Sequence, residues 1–141
     1  MVHYKLYYFP VKARGLAGTG DWEKAQVDAF VDFFKDISSE LGPFSAILLG
    51  FSQADKEAAY KEHYLPVAER AFPILKKYLR DAGNGYLFKG GLTYADFILA
   101  EAFDLLAKGV PNFYEDHPEF KNHNQKVYSL PQLQKYLSAR S

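Results

Sequence analysis

The sequence contains no cysteine. This absence excludes a disulfide framework, a thiolate metal site and a cysteine nucleophile. An excess of charge of one sign is also lacking, since Lys plus Arg number 17 and Asp plus Glu number 17. Nucleic acids and acidic membrane surfaces select proteins with a basic excess, so we expect neither as a partner.

Long hydrophobic runs are absent as well. The longest lies around Ala46–Leu49, far short of the roughly 20 apolar residues that a membrane-spanning helix needs. The opening MVHYKLYYFP alternates apolar and polar residues, whereas a secretory signal places a charged segment before an apolar run. These observations favour a cytoplasmic location without a membrane anchor.

What the sequence does contain is enough apolar material for one core, with 48% hydrophobic and 17% aromatic residues in 141. Residues 4–9 are rich in β-formers and predict a short strand. From about residue 22 onward, apolar residues recur at helical spacing. The prediction is an all-α helical bundle with one N-terminal strand and helices over about 22–41, 52–79, 94–108, 118–128 and 131–139.

Two of these helices carry further predictions. Asp21 is the expected N-cap of the first helix, and Gly42-Pro43 is its expected end. Its predicted core stripe, widened by Phe30 and Phe34, consists of Trp22, Ala25, Ala29, Phe33, Ile37 and Leu41. In the second helix, Pro66 and Pro73 predict a kink or a break.

The best-specified element is the helix that begins after Thr93. Thr93 and Asp96 have the spacing of a capping box, in which each side chain accepts the other residue's backbone N–H. Leu92 and Phe97 flank the box at the two positions of a hydrophobic staple. In a reciprocal box the Asp96 carboxylate is already occupied as a hydrogen-bond acceptor, so a structural role for Asp96 is favoured over a catalytic one.

The histidines show no spacing that suggests metal ligation. None of the pairs lies at i,i+4 on one helix, so we expect surface residues and no metal site at His3, His63, His117 and His123.

Four segments together resemble a known family. Gly90–Phe97 is similar to the capping and staple motif of the cytosolic glutathione transferases. Met1–Phe9, Trp22–Ala29 and Leu130–Leu137 resemble the opening strand, the first helix of the C-terminal domain and the closing helix of sigma-type transferases from nematodes and other invertebrates. The resemblance covers nearly the whole chain.

The same resemblance implies a domain division and a large departure from the family. Residues 1–15 resemble the first strand of a thioredoxin-like glutathione-binding domain, 16–21 the linker, and 22–141 the helical C-terminal domain. Most of the glutathione-binding domain, including its cis-proline loop, has no counterpart between Gly15 and Leu16.

The resemblance also implies site residues. Tyr8 matches the catalytic tyrosine that donates a hydrogen bond to the glutathione thiolate; Arg14 and Asp36 match glutathione-binding residues, Asp36 reaching across a dimer. The alternatives for these residues are strand packing for Tyr8, a solvated loop charge for Arg14 and a solvated acidic face for Asp36. Asp32 lies one turn before Asp36, but Lys35 replaces an acid that some relatives use to hold a metal.

Three functional interpretations follow. The first is a truncated glutathione transferase that conjugates its co-substrate glutathione to small hydrophobic electrophiles, or performs a related isomerisation, without another cofactor. The second is an inactive helical domain that packs or pairs with full-length subunits in a homo- or heterodimer. The third is a chain that is not stable alone. In each, the helical face that meets the absent domain is expected to expose an apolar patch.

Overall fold

A computed structural model describes residues 16–131. The predicted strand at 4–9 lies outside the described residues, as do Tyr8, Arg14 and all but the first residue of the predicted closing helix. The described elements are α1 (Gly20–Leu48), α2 (Lys56–Ala59), a π-helical turn (Tyr60–Tyr64), α3 (Leu65–Ala82), α4 (Tyr94–Gly109), α5 (Phe113–Asp116) and α6 (Pro118–Tyr128). The all-α fold is therefore confirmed.

Helix α1 is longer than predicted at both ends. It begins at Gly20, after Thr19, so that Asp21 lies in the first turn and is not the N-cap. It also continues through Pro43 to Leu48, although an interior proline costs about 3 kcal/mol. The continuation buries Phe44 completely, with its ring 5.5 Å from that of Tyr64. Burial of a whole aromatic ring offsets much of the proline's cost.

The predicted core stripe of α1 is wrong in its first half. Trp22 is 77% exposed, and Ala25 and Ala29 are also on the solvent side. The buried face consists of Val27, Phe30, Val31, Phe34, Ile37, Leu41 and Phe44. One residue is a rotation of about 100° on a helix, so a shift by one or two positions selects another face. The face with three phenylalanines is buried, because together they remove more apolar area from water than the face that carries Trp22 and the two alanines would.

Neither proline breaks the second helix, because residues 56–82 are helical without interruption; a π-helical turn precedes Pro66 instead. The chain passes from α2 through the π-helical turn into α3, and Pro66 lies in the first turn of α3. Proline has no backbone N–H and cannot donate the hydrogen bond that an α-helix makes to the residue four positions earlier. The wider π-helical turn before Pro66 follows another hydrogen-bond pattern, so this missing bond is tolerated there. Pro73 lies inside α3 on its exposed side without ending the helix.

Helix α4 forms the centre of the domain, as its apolar composition predicts, and packs against α1 and α6. Phe103 on α4 is 1% exposed. Its ring lies 4.5 Å from Phe120, 5.3 Å from Phe72 and 5.6 Å from Phe113, measured between centroids. The core is thus an aromatic cluster that joins α3, α4, α5 and α6.

No helix within residues 16–131 is both long enough and apolar enough to cross a membrane.

Candidate functional site

The Asp96 carboxylate is completely buried and has partners on both of its oxygens. The reciprocal Thr93–Asp96 capping box is present at the start of α4. Thr93 N–H donates to Asp96 Oδ2 at 2.9 Å. The other carboxylate oxygen, Oδ1, accepts the Leu87 N–H at 2.9 Å and lies 2.8 Å from His123 Nε2. Asp96 therefore joins the start of α4 to the preceding loop and to α6.

The staple residues lie where the box requires them. Phe97 is buried in a small second cluster with Leu16, Ala100 and Val127, and Leu92 packs against the same cluster. Tyr94 N–H, in the first turn of α4, donates to the Leu16 carbonyl oxygen at 2.8 Å. This cluster fixes the segment that enters the domain against the start of α4.

The prediction that His123 lies on the surface is wrong. Its side chain is 2% exposed, because Nε2 is paired with the buried Asp96 carboxylate. No sequence signal links two residues 27 positions apart. The pair is enclosed and Asp96 has a partner on each oxygen, so we interpret it as structural and not catalytic.

His117 is also not an exposed surface residue. Its ring lies between Phe72 and Phe113, at 5.1 and 5.2 Å between centroids. Burial, followed by the nearby positive charge of Lys76, lowers the pKa of His117. The neutral ring is therefore favoured, as its aromatic surroundings require.

Of the predicted glutathione-binding residues, the described part of the chain contains Asp36 alone. Asp36 is exposed on α1, and its side chain forms no hydrogen bond or ion pair with another described residue. One turn earlier, Asp32 lies 3.9 Å from Lys35 Nζ, and both side chains are at least 74% exposed. No group of three or more metal-ligating side chains occurs within residues 16–131.

A groove of about 710 Å³ lies between the start of α1, the end of α3 and the segment 87–89. No sequence pattern indicates it, because the spacing of Trp22 predicts a core position and the side chain is instead exposed. The lining residues come from all three segments: Thr19, Trp22, Glu23, Gln26, Ile74, Lys77, Tyr78, Asp81, Ala82, Leu87, Phe88 and Lys89.

Comparison with known proteins identifies the class to which these helices belong. Residues 40–140 match the model of the glutathione S-transferase C-terminal domain. The chain as a whole belongs to the glutathione S-transferase family. It is 33% identical over 135 residues to glutathione S-transferase 1 of Ascaris suum, covering 96% of this chain and 66% of that protein. It is 36% identical over 126 residues to probable glutathione S-transferase 5 of Caenorhabditis elegans, covering 89% and 60%.

Solved structures agree with this assignment. The monomeric Na-GST-3 of the hookworm Necator americanus matches with a TM-score of 0.84 and 37% identity, covering 94% of this chain and 65% of that one. A Nu-class transferase from Haemonchus contortus matches with a TM-score of 0.80 and 35% identity, covering 98% and 67%. The chain spans 60–66% of the length of the two curated relatives.

Proposed function

We propose that this chain is a truncated glutathione transferase of the sigma-like, nematode type that keeps the helical domain and does not conjugate glutathione efficiently by itself. The observation that supports the proposal is the gap between Gly15 and Leu16, where most of the glutathione-binding domain has no counterpart in the sequence. Among the described residues Asp36 is the one predicted glutathione ligand, and its side chain is exposed on α1. The sigma-like class rests on the resemblance in sequence; one matched relative is described as Nu-class.

The chemistry of the tripeptide explains why one exposed carboxylate is too little. Glutathione carries two carboxylates and an ammonium group, and each needs an oriented partner to hold the thiol in place. A tyrosine hydroxyl such as that of Tyr8 can stabilise the thiolate. It acts only on a thiol that other groups have already positioned. Tyr8 and Arg14 therefore remain proposed contributors to a site that this chain supplies in part.

Conjugation of glutathione to 1-chloro-2,4-dinitrobenzene tests this function. We expect the purified full chain to show no turnover above the uncatalysed rate and no saturable glutathione binding by calorimetry. Glutathione S-transferase 1 of Ascaris suum, assayed in parallel, is the positive control. Turnover within tenfold of that control would overturn the inactive interpretation. Tyr8→Phe should then lower kcat about a hundredfold, as removal of a single transition-state donor does.

The second candidate function is pairing with a full-length subunit. Two exposed apolar residues follow the end of α1, Leu49 at 54% and Phe51 at 83% exposure. A partner subunit that covered them would remove their apolar surface from water. Asp36, by family resemblance, would face the partner's glutathione.

Native mass spectrometry tests the pairing directly. After mixing the chain with a full-length nematode transferase, we expect a species whose mass is the sum of one copy of each. Phe51→Asp should reduce that species, because a charge would enter the apolar contact. Lys121→Gln, an exposed change on α6 away from Asp36 and Phe51, is the surface control. If only the separate proteins are observed, pairing is wrong.

A further inference from the structure

The loop between α3 and α4 contains the one Asn-Gly dipeptide of the sequence, Asn84–Gly85. Gly85 has φ +87°, a left-handed conformation that residues with a Cβ rarely adopt. The turn therefore requires glycine at this position. Glycine also leaves the backbone nitrogen that directly follows Asn84 without a neighbouring side chain to shield it.

An asparagine followed by glycine can deamidate, because the chain itself supplies the nucleophile. The Gly85 nitrogen, after losing its proton to hydroxide, attacks Cγ of Asn84 and closes a five-membered succinimide ring. Nδ2 takes up a proton from water and leaves as ammonia. Water then adds to either carbonyl carbon of the ring and opens it, which gives aspartate or isoaspartate. Asparagine is thermolabile in proteins, and this route needs only water as a co-reactant.

In the folded loop the reacting amide is held by three hydrogen bonds. Nδ2 of Asn84 donates to the carbonyl oxygens of Phe88 at 3.0 Å and Lys89 at 3.3 Å. Oδ1 accepts the Tyr86 N–H at 2.9 Å, which is the pattern of an Asx turn. The leaving nitrogen is the donor of two of these bonds, so its departure has to break both. We therefore expect the reaction from an opened loop and not from the closed one.

Lys126 on α6 covers the same dipeptide from another element. Its ammonium group donates to the Asn84 carbonyl oxygen and lies 4.6 Å from the centre of the Tyr86 ring. Its Cδ is 2.7 Å from the position that a Cβ on Gly85 would occupy. The backbone around the reacting amide is thus held by α6 as well as by the loop itself.

Two carboxylates tie the rest of the loop to the helices. Glu23 on α1 accepts the Gly90 N–H at 2.9 Å. Asp96 on α4 accepts the Leu87 N–H at 2.9 Å. Gly90 lies beyond the reacting dipeptide, so removing its acceptor loosens the loop without altering the groups that react.

We propose that Asn84 is a deamidation site that the closed loop protects, and that its modification prevents the loop from closing again. A carboxylate has no N–H to donate, and it would place a charged oxygen against the carbonyl oxygens of Phe88 and Lys89. Isoaspartate also adds one atom to the backbone of the turn. The loss of one amide is thereby converted into a lasting opening before α4. None of the residues assigned to glutathione takes part, so the site is independent of the proposed transferase function.

Peptide mass spectrometry of the full chain measures the reaction. The chain is incubated at mildly alkaline pH, either folded in buffer or unfolded in urea, and then digested with trypsin. Trypsin releases residues 81–89, in which Asn84 is the one asparagine. The gain of one mass unit in this peptide should be at least about tenfold slower in the folded chain, because only the opened population reacts. In the unfolded chain the other three asparagines, each followed by a larger residue, should react more slowly.

Glu23→Ala tests whether opening of the loop controls the rate. It should speed deamidation of the folded chain about three- to tenfold, which is the rise in the open population that the loss of one or two hydrogen bonds allows. The rate in urea should stay the same. Glu69→Ala removes an exposed carboxylate from α3 and is the matched control, with both rates unchanged.

Asn84→Asp tests the consequence of the modification. The Gly91 N–H donates to the Phe88 carbonyl oxygen at 3.1 Å, so its hydrogen exchange reports whether the loop is closed. Exchange at Gly91 should become faster in Asn84→Asp. Asn122→Asp makes the same change of charge at an exposed position of α6 and should leave that exchange as it is.

Any of three results would overturn the proposal. Equal deamidation rates in the folded and unfolded chain would show that the closed loop gives no protection. A folded rate that Glu23→Ala does not raise would show that the reaction does not pass through opening of this loop. Unchanged exchange at Gly91 in Asn84→Asp would show that the loop closes over the carboxylate.

Discussion

Asp96→Ala should lower the free energy of unfolding by roughly 3–5 kcal/mol, because it leaves several buried groups without the carboxylate that they are bonded to. The alanine would lose the helix cap and leave three groups without their acceptor: the N–H of Thr93, the N–H of Leu87 and the His123 ring. Each buried polar group left unpaired adds about 1–3 kcal/mol. The effects overlap in one network, so they do not simply add.

Urea unfolding followed by circular dichroism measures this loss. Asp96→Asn is the matched variant, since the amide keeps the shape of the side chain and one acceptor oxygen. Its free energy of unfolding should lie between those of the wild type and Asp96→Ala. Asp32→Ala removes an exposed carboxylate from α1 and should change stability by less than about 0.5 kcal/mol. A loss below about 1 kcal/mol in Asp96→Ala would show that the network has little energetic weight, since a helix cap alone contributes that much.

Phe103→Ala should cost about 3–5 kcal/mol, the range for deleting a buried aromatic ring. The ring is 1% exposed and contacts aromatic side chains from α1, α3, α5 and α6. Removing it leaves a cavity that rigid neighbours from so many elements cannot fill. The midpoint of urea unfolding should fall while the slope stays constant.

Two further variants make the Phe103 test specific. Phe103→Leu keeps most of the volume and should cost less than half as much as alanine. Phe51→Ala deletes the same ring where it is 83% exposed, and should leave stability nearly unchanged. Similar losses at Phe51 and Phe103 would contradict the assignment of Phe103 to the centre of the core.

Features that depend on neighbouring residues could be predicted from the sequence. Helix α4 was predicted almost to its ends because Thr93 and Asp96 are three residues apart, and both members of the box lie in one turn. The predicted end of the second helix, at about residue 79, lies within three residues of the end of α3 at Ala82; Gly83 follows with φ +70°, a conformation that favours glycine. The family resemblance rested on the same local motif.

Features that depend on distant partners could not be predicted. Whether Pro43 ends α1 depends on Tyr60 and Tyr64, whose rings meet Phe44 from another helix. The sequence around His123 predicts a surface position, and the residue is buried because the fold brings Asp96 next to it. A local pattern contains no information on such pairs, because side chains far apart in the chain are joined only by packing.

The sequence by itself determined that this is a helical domain, where most of its helices lie, and that its ancestry is in the glutathione transferases. Only the tertiary structure decided which face of α1 is buried, and so left Trp22 on the rim of a groove. It also decided that the Asp96 carboxylate, recognised as a cap, is shared with Leu87 and His123. The physical reason is common to both: caps and turns form within a few residues, whereas burial is settled by the packing of the whole core.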